Sequence, residues 1–348
     1  MRLSPQHKQP QVKRMGERLY VGIDLGTYQS TVSSSAGKTL TIETVVGRPK
    51  DPVARNMLGK DVLFGEEAMS KKLACNLYRP MAAGVTQDDE ANLAAAKAFV
   101  SHLIESVDPE EYDEVLGVIC SPSHVSFTDK SNLVATLRGQ VNAIMVVSEP
   151  FATGYGIDQY MGSIVVDIGA GTTDIARLYG TFPSDEDQVT ITEAGDWLDN
   201  ELMVLIQKKY TGAQITKDMV RKWKEANSYV GGDVRTVEVS ISVDGKSQKV
   251  DIGDLIQEAC QSVVPKIANA IKRIVAGADP EYQETLRNNI ILSGGGSLID
   301  GIADRVAKEI ADIGSVTVSC VDDPIHSVAI GALKLASDMD DEMFTAIN

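Results

Sequence analysis

The residues best equipped for chemistry lie at 164–174, which read Ile-Val-Val-Asp-Ile-Gly-Ala-Gly-Thr-Thr-Asp. Apolar, mostly β-branched residues run into Asp167. Gly169, Ala170 and Gly171 make a small-residue turn, and Thr172, Thr173 and Asp174 follow. This run predicts a β-hairpin whose turn can hold an anion. Glycine lets backbone N–H groups come close to a phosphate, and threonine adds a further donor. An aspartate beside such a cradle is badly placed to touch phosphate and well placed to order the water shell of Mg2+. Residues 19–31 repeat the pattern, a hydrophobic strand delivering Asp24 to a turn at Gly26-Thr27. Two such turns predict an internal duplication, with each half wrapping the phosphates of one nucleotide from its own side.

A third carboxylate is Glu149. Residues 143–147 read as a buried strand that ends in Ser148-Glu149-Pro150. A strand's C-terminal end lies at the mouth of an α/β sheet, and proline suits the first turn of a helix. Ala152, Gly154 and Gly156 leave that helix thin enough to pack closely on another element. Near two phosphate turns, Glu149 is placed to orient an attacking water as its hydrogen-bond acceptor. Residues 289–293 form another buried strand that opens into Gly294-Gly295-Gly296, where the backbone can lie flat under an adenine and ribose. Gly37-Lys38-Thr39 looks like the end of a P-loop, but the motif's first glycine falls at Val32, so it is set aside.

The elements that position these residues alternate strand and helix. Strands are predicted at 19–35, 39–46, 115–120, 143–147, 189–193, 289–293 and 316–318, and helices at 91–107, 127–140, 200–210, 217–229, 254–276 and 327–337. Residues 234–243 and 249–252 alternate like an exposed hairpin turning at Asp244-Gly245. A chain of 348 residues suits two domains, and its 43% hydrophobic content allows sizeable cores. The net charge of −16 repels nucleic acid, so no direct nucleic-acid partner is expected. Residues 1–18 differ. Arg2, Lys8, Lys13, Arg14 and Arg18 face only Glu17, and Pro5 and Pro10 break any helix, so a disordered tail is predicted. No stretch approaches the roughly 20 apolar residues of a transmembrane segment, and no signal peptide is visible. The four cysteines are scattered without a C-x-x-C pair, which predicts reduced thiols in a cytoplasm rather than zinc or a disulfide frame.

Together, Asp24-Leu25-Gly26-Thr27, Glu149-Pro150, the run 167–174 and Gly294-Gly295-Gly296 resemble the actin, Hsp70 and sugar-kinase superfamily. The likeness covers nearly the whole chain from residue 19 onward and is greatest to the bacterial actins. Residues 147–156, 166–175, 185–190 and 280–283 are similar to their magnetosome branch. The resemblance implies an α/β fold, an actin-like duplicated ATPase core of two RNase H-like halves with two smaller inserted subdomains. The first half takes 19–46 and 80–163, with 327–348 packing back on it. The second takes 164–198 and 254–326, and the inserts are 47–79 and 199–253.

The resemblance further implies ATP and Mg2+ as ligands, and hydrolysis of ATP to ADP and phosphate coupled to self-polymerisation into cytoskeletal filaments. A place alongside magnetosomes, with magnetosome-associated adaptor proteins as partners, goes with it. Gly26, Thr27, Gly169, Ala170, Gly171 and Thr172 would meet the phosphates. Asp24 and Asp167 would hold the metal, Glu149 and Asp167 would serve catalysis, and Gly294, Gly295 and Gly296 would meet the nucleoside. Residues 221–230 resemble the actin segment at the adenine edge, which would put Lys224 and Glu225 on the base or ribose. Two alternatives share this fold: a bacterial actin for cell shape or plasmid segregation, and a small-molecule kinase using its cleft carboxylate as base. Fold alone does not separate them.

Overall fold

The computed structural model describes residues 14–82, 85–86, 89–124 and 126–347. Two sheets of one design form its body. In the first, β1 (Arg14–Leu25), β2 (Gln29–Ser34) and β3 (Thr39–Glu43) are antiparallel neighbours, and β4 (Tyr112–Ser121) and β5 (Ala143–Ser148) continue beside β1 in parallel. In the second, β6 (Met161–Ile168), β7 (Thr173–Tyr179) and β8 (Gln188–Ile191) are antiparallel, and β9 (Ile290–Ser293) and β10 (Val318–Cys320) continue beside β6 in parallel. The orders are β3-β2-β1-β4-β5 and β8-β7-β6-β9-β10, with Thr345–Ala346 added antiparallel outside β5. The duplication read from two turns is thus a duplication of sheet topology.

The alternation of β1 explains its place. Leu19, Val21, Ile23 and Leu25 are fully buried on one face. On the other, Gly22 lets a helix lie on the strand, since a Cβ there would collide with the backbone of Ala329 and Leu333. The helices that matter for the site are α1 (Glu149–Gly156), α2 (Gly195–Lys209), α3 (Lys217–Asn227), α4 (Gly253–Ala276) and α5 (Ser327–Asp338). α1 and α5 pack against each other through small residues: a Cβ on Gly156 would sit 2.8 Å from the Gly331 Cα, and one on Gly331 would strike the Ala152 carbonyl.

The inserts are small sheets. One joins Val46–Pro49, Leu63–Phe64 and Cys75–Tyr78 over Val45, Leu63, Ala68 and Cys75. The other joins Ala213–Gln214, Glu238–Val243 and Lys246–Asp251, turning at Asp244 and Gly245 with φ of 50° and 75°. Several boundaries differ from the sequence reading, and two of them bear on the domain division. β1 begins at Arg14, inside the segment read as a disordered tail, and Arg18 pairs with Glu114 at 2.6 Å and Asp341 at 2.7 Å. Partners far along the chain, invisible to local charge, order that stretch; residues 1–13 lie outside the described residues. α2 also runs unbroken across residue 199, where an insert was expected to start. No helix of the described residues is long and apolar enough to cross a membrane.

Candidate functional site

The ends of β1 and β6 open on a cleft of ≈ 600 Å³. Register brings both aspartates there. Asp24, next to last in β1, lies beside Thr31 of β2 and Cys120 of β4. Asp167, next to last in β6, lies beside Asp174 of β7 and Ser293 of β9. Glu149 starts α1, directly after β5. Asp24, Glu149, Asp167, Gly26, Thr27, Gly169, Ala170, Gly171, Thr172, Lys224, Glu225, Gly294, Gly295 and Gly296 all line the same cleft.

The second turn is held by its own backbone and by the start of α2. Gly169 N–H closes it on the Thr172 carbonyl at 2.9 Å. The Gly169 and Ala170 carbonyls accept from Gly195 N–H at 3.0 Å and Asp196 N–H at 2.7 Å, which anchors the turn to the start of α2. In the first turn the Gly26 carbonyl accepts from the Thr44 hydroxyl at 2.8 Å. Gly294 has φ of +73°, and a Cβ there would lie 2.6 Å from the Ile168 carbonyl, so only glycine keeps this run against the second turn.

The cleft floor is acidic and buried. Glu149 is 8% exposed, Asp167 4% and Asp174 0%, while Asp24 keeps partial exposure toward the cleft only. Burial, then repulsion from Asp167, pushes Asp24 up to about 7. Burial pushes Asp167 up to about 7 as well, against the Ser293 hydroxyl that donates to its Oδ2 at 2.7 Å. Burial and the charges of Asp174, Asp24 and Asp167 drive Glu149 well above the carboxylate range. Asp174 is also raised by burial, although Ser123 N–H and the Thr190 hydroxyl both donate to its Oδ1 at 2.6 Å; its Oδ2 is buried without a partner. An all-oxygen site with excess negative charge suits Mg2+. Among the described residues no group of three or more His, Cys, Asp or Glu is arranged to bind an ion directly. Mg2+ is commonly held by one or two carboxylates while several of its waters are kept, and Asp24 and Asp167 could supply those carboxylates.

At the far end of the cleft, α3 presents Arg221, Lys224 and Glu225. The Lys224 ammonium lies 2.6 Å from Asp199 Oδ1 and donates to the Gly195 carbonyl at 2.8 Å. Arg221 donates to Asp199 at 2.8 Å and also pairs with Asp196. The charged end of Lys224 thus braces α3 against α2, while the Glu225 carboxylate, which also lines the cleft, is raised by burial and pulled down by Lys224 and Arg221. The sequence reading missed Arg221, Asp196, Asp199 and Tyr28. A signal existed: Asp196/Asp199 and Arg221/Lys224 are matched i,i+3 pairs of opposite charge on consecutive helices. It also missed the apolar lining of Leu198, Leu298, Ile299, Pro324, Ile325 and Val328, which gathers from three separate segments.

A duplicated α/β core closed on an acidic cleft between two glycine turns defines an actin-like nucleotide-binding protein. The MreB/Mbl protein family model matches residues 18–343, and the chain belongs to that family. It is 36% identical over 323 residues to the actin-like protein MamK of Paramagnetospirillum magneticum (strain AMB-1), covering 92% of this chain and 93% of that one. It superposes on a MamK double helical filament with a TM-score of 0.90 at 35% identity, covering 93% of this chain and 100% of that chain. A non-polymerising MamK mutant bound to AMPPNP superposes with a TM-score of 0.72 at 34% identity, over 92% of this chain and 99% of that chain.

Proposed function

We propose that this chain binds ATP with Mg2+, hydrolyses it to ADP and phosphate, and polymerises with itself into filaments that position magnetosomes through adaptor proteins in the cytoplasm. The observation that carries the reading is the convergence of two acidic glycine turns and a buried glutamate on one cleft, in an MreB/Mbl chain. The MamK relatives support the filament and magnetosome parts, and the AMPPNP in a relative's structure supports the nucleotide.

The chain's own residues divide the work. Gly26, Thr27 and Gly169 to Thr172 offer backbone and hydroxyl donors to phosphate oxygens. Leu298, Pro324 and Ile325 offer an apolar slot to the base, and Glu225 a carboxylate acceptor near it. Asp24 and Asp167 would hold Mg2+ through its waters, and the ion would offset phosphate charge. Glu149 accepts a hydrogen bond from a water and aligns its oxygen on the terminal phosphorus. As that P–O bond forms, the bond to the bridging oxygen breaks and ADP leaves, with the water's proton passing toward Glu149 or the phosphate. No covalent intermediate is needed, because phosphoryl transfer rests on placement and charge stabilisation.

Light scattering and electron micrographs of the full chain, with ATP–Mg2+, with Mg2+ alone and with ATP in EDTA, test this reading. Assembly should need both nucleotide and metal. The net charge of −16 opposes stacking, and the screening length falls to about 10 Å at 0.1 M salt, so moderate KCl should lower the critical concentration. No assembly at any salt would remove the filament function, and phosphate transfer to an added sugar would favour a kinase instead.

A further inference from the structure

Two contacts join the halves, one at the cleft and one beside it, and both end on α3. Tyr28 directly follows Thr27 in the first turn, and its ring lies under the Arg221 guanidinium at 4.1 Å from the centroid. Neither partner is loose. The Tyr28 hydroxyl donates to Glu43 at 2.9 Å, and Arg221 is tied to Asp199 at 2.8 Å and to Asp196. One helical turn earlier on α3, Asp218 lies 3.3 Å from Lys72 Nζ and 4.0 Å from Arg79 Nη2, both in the first insert. Arg79 also sits over the Tyr28 ring at 5.9 Å, which joins the two contacts into one cluster.

We infer that Tyr28–Arg221 and Asp218–Lys72/Arg79 form a clasp between the two halves of the molecule, and that this clasp sets how long a nucleotide stays bound. The residence-time part rests on the nucleotide reading above. The helix that carries Lys224 and Glu225 into the cleft is thereby fastened to the turn that carries Gly26 and Thr27. A nucleotide lying between them leaves when both contacts part. Arg221 and Asp218 act here as positioning residues, since they work through the turn and the insert. Neither contact is strong alone: a half-exposed ion pair shifts an equilibrium by up to about 5-fold, and a cation–π contact by roughly 2- to 30-fold. Such a clasp holds the cleft shut yet opens on every exchange cycle.

Release of a fluorescent ATP analogue is measured from monomers below the critical concentration. Asp218→Asn should release it about 3- to 5-fold faster. Tyr28→Leu should release it about 10-fold faster, while Tyr28→Phe, which keeps the ring but loses the bond to Glu43, should speed release by much less. High KCl should bring the parent toward Asp218→Asn and leave that variant nearly unchanged. A second probe needs no nucleotide. With the exposed Cys320 replaced (Cys320→Ser), the pair Lys72→Cys and Asp218→Cys should cross-link within one chain through a short bis-maleimide. Cross-linking in a chain that binds no ATP would overturn the nucleotide reading and leave the closed mouth standing. Absence of the cross-link, or parental release from both Asp218→Asn and Tyr28→Leu, would overturn the clasp.

Discussion

Each half of the molecule follows its last parallel strand with an acid and a proline, Glu149-Pro150 after β5 and Asp323-Pro324 after β10, and the two acids live in opposite surroundings. Glu149 is buried among three aspartates and driven upward. Asp323 is exposed and, against slight burial, is held below the carboxylate range by His326, whose Nδ1 lies 2.8 Å from its Oδ2. The neighbours of the turn aspartates diverge in the same way. Opposite Asp24 stands Thr31, whose hydroxyl bonds Thr41 at 2.8 Å; opposite Asp167 stands Asp174. The two halves share a strand order but differ in the side chains at matching positions. On the proposed mechanism both aspartates serve a metal, and only the first half's terminal acid acts on a water.

Charge at the cleft floor gives the largest expected effect. Asp24 and Asp167 have an ordinary value of 3.8 and are pushed up to about 7, so between those values the folded protein holds protons that the unfolded chain has released. Their contribution to stability is complete below about 4 and is lost as pH rises through about 7. In EDTA without nucleotide, the protein should therefore melt at a clearly lower temperature at pH 8 than at pH 6. Mg2+–ATP should restore the difference most strongly at pH 8. A melting temperature independent of pH and metal would mean that the halves do not press these charges together.

A smaller effect separates the two aspartates. Ser293→Ala removes the hydroxyl bound to Asp167 and should raise the Mg2+ concentration for half-maximal turnover by roughly 2- to 10-fold. Cys120→Ser offers Asp24 a hydroxyl in the matching register position and should move that concentration less, in the opposite direction. Equal shifts of one sign would mean that the metal senses the two halves alike.

The parts of the site readable from the sequence were those made by contiguous residues. A phosphate turn needs its strand, glycines, hydroxyls and acid in one run, so Asp24 to Thr27 and Asp167 to Asp174 announced themselves, and the duplicated topology followed from finding two. Glu149 was readable because a strand end and a helix start meet at Ser148-Glu149-Pro150. The clasp was not, since Tyr28, Lys72, Arg79 and Asp218 come from four stretches that meet only when the halves close. Lys224 shows the opposite limit. A match to a known segment singled it out, and it does line the cleft, but its ammonium is engaged by Asp199 and Gly195, partners that no local pattern around Lys224 specifies.

The central claim is that the two acids that precede a proline after the last parallel strand of each half serve different ends, Glu149 chemistry and Asp323 local structure. Phosphate release in a single turnover, measured for Glu149→Gln and Asp323→Asn beside the parent, tests it most directly. Glu149→Gln should bind ATP normally and release phosphate roughly 10²-fold more slowly, the scale for losing a group that accepts a proton and positions a water. Asp323→Asn, which removes only an exposed pairing with His326, should stay within about 2-fold of the parent, as an exposed pair contributes little. Parental rates from Glu149→Gln, or equal slowing in both variants, would contradict the account.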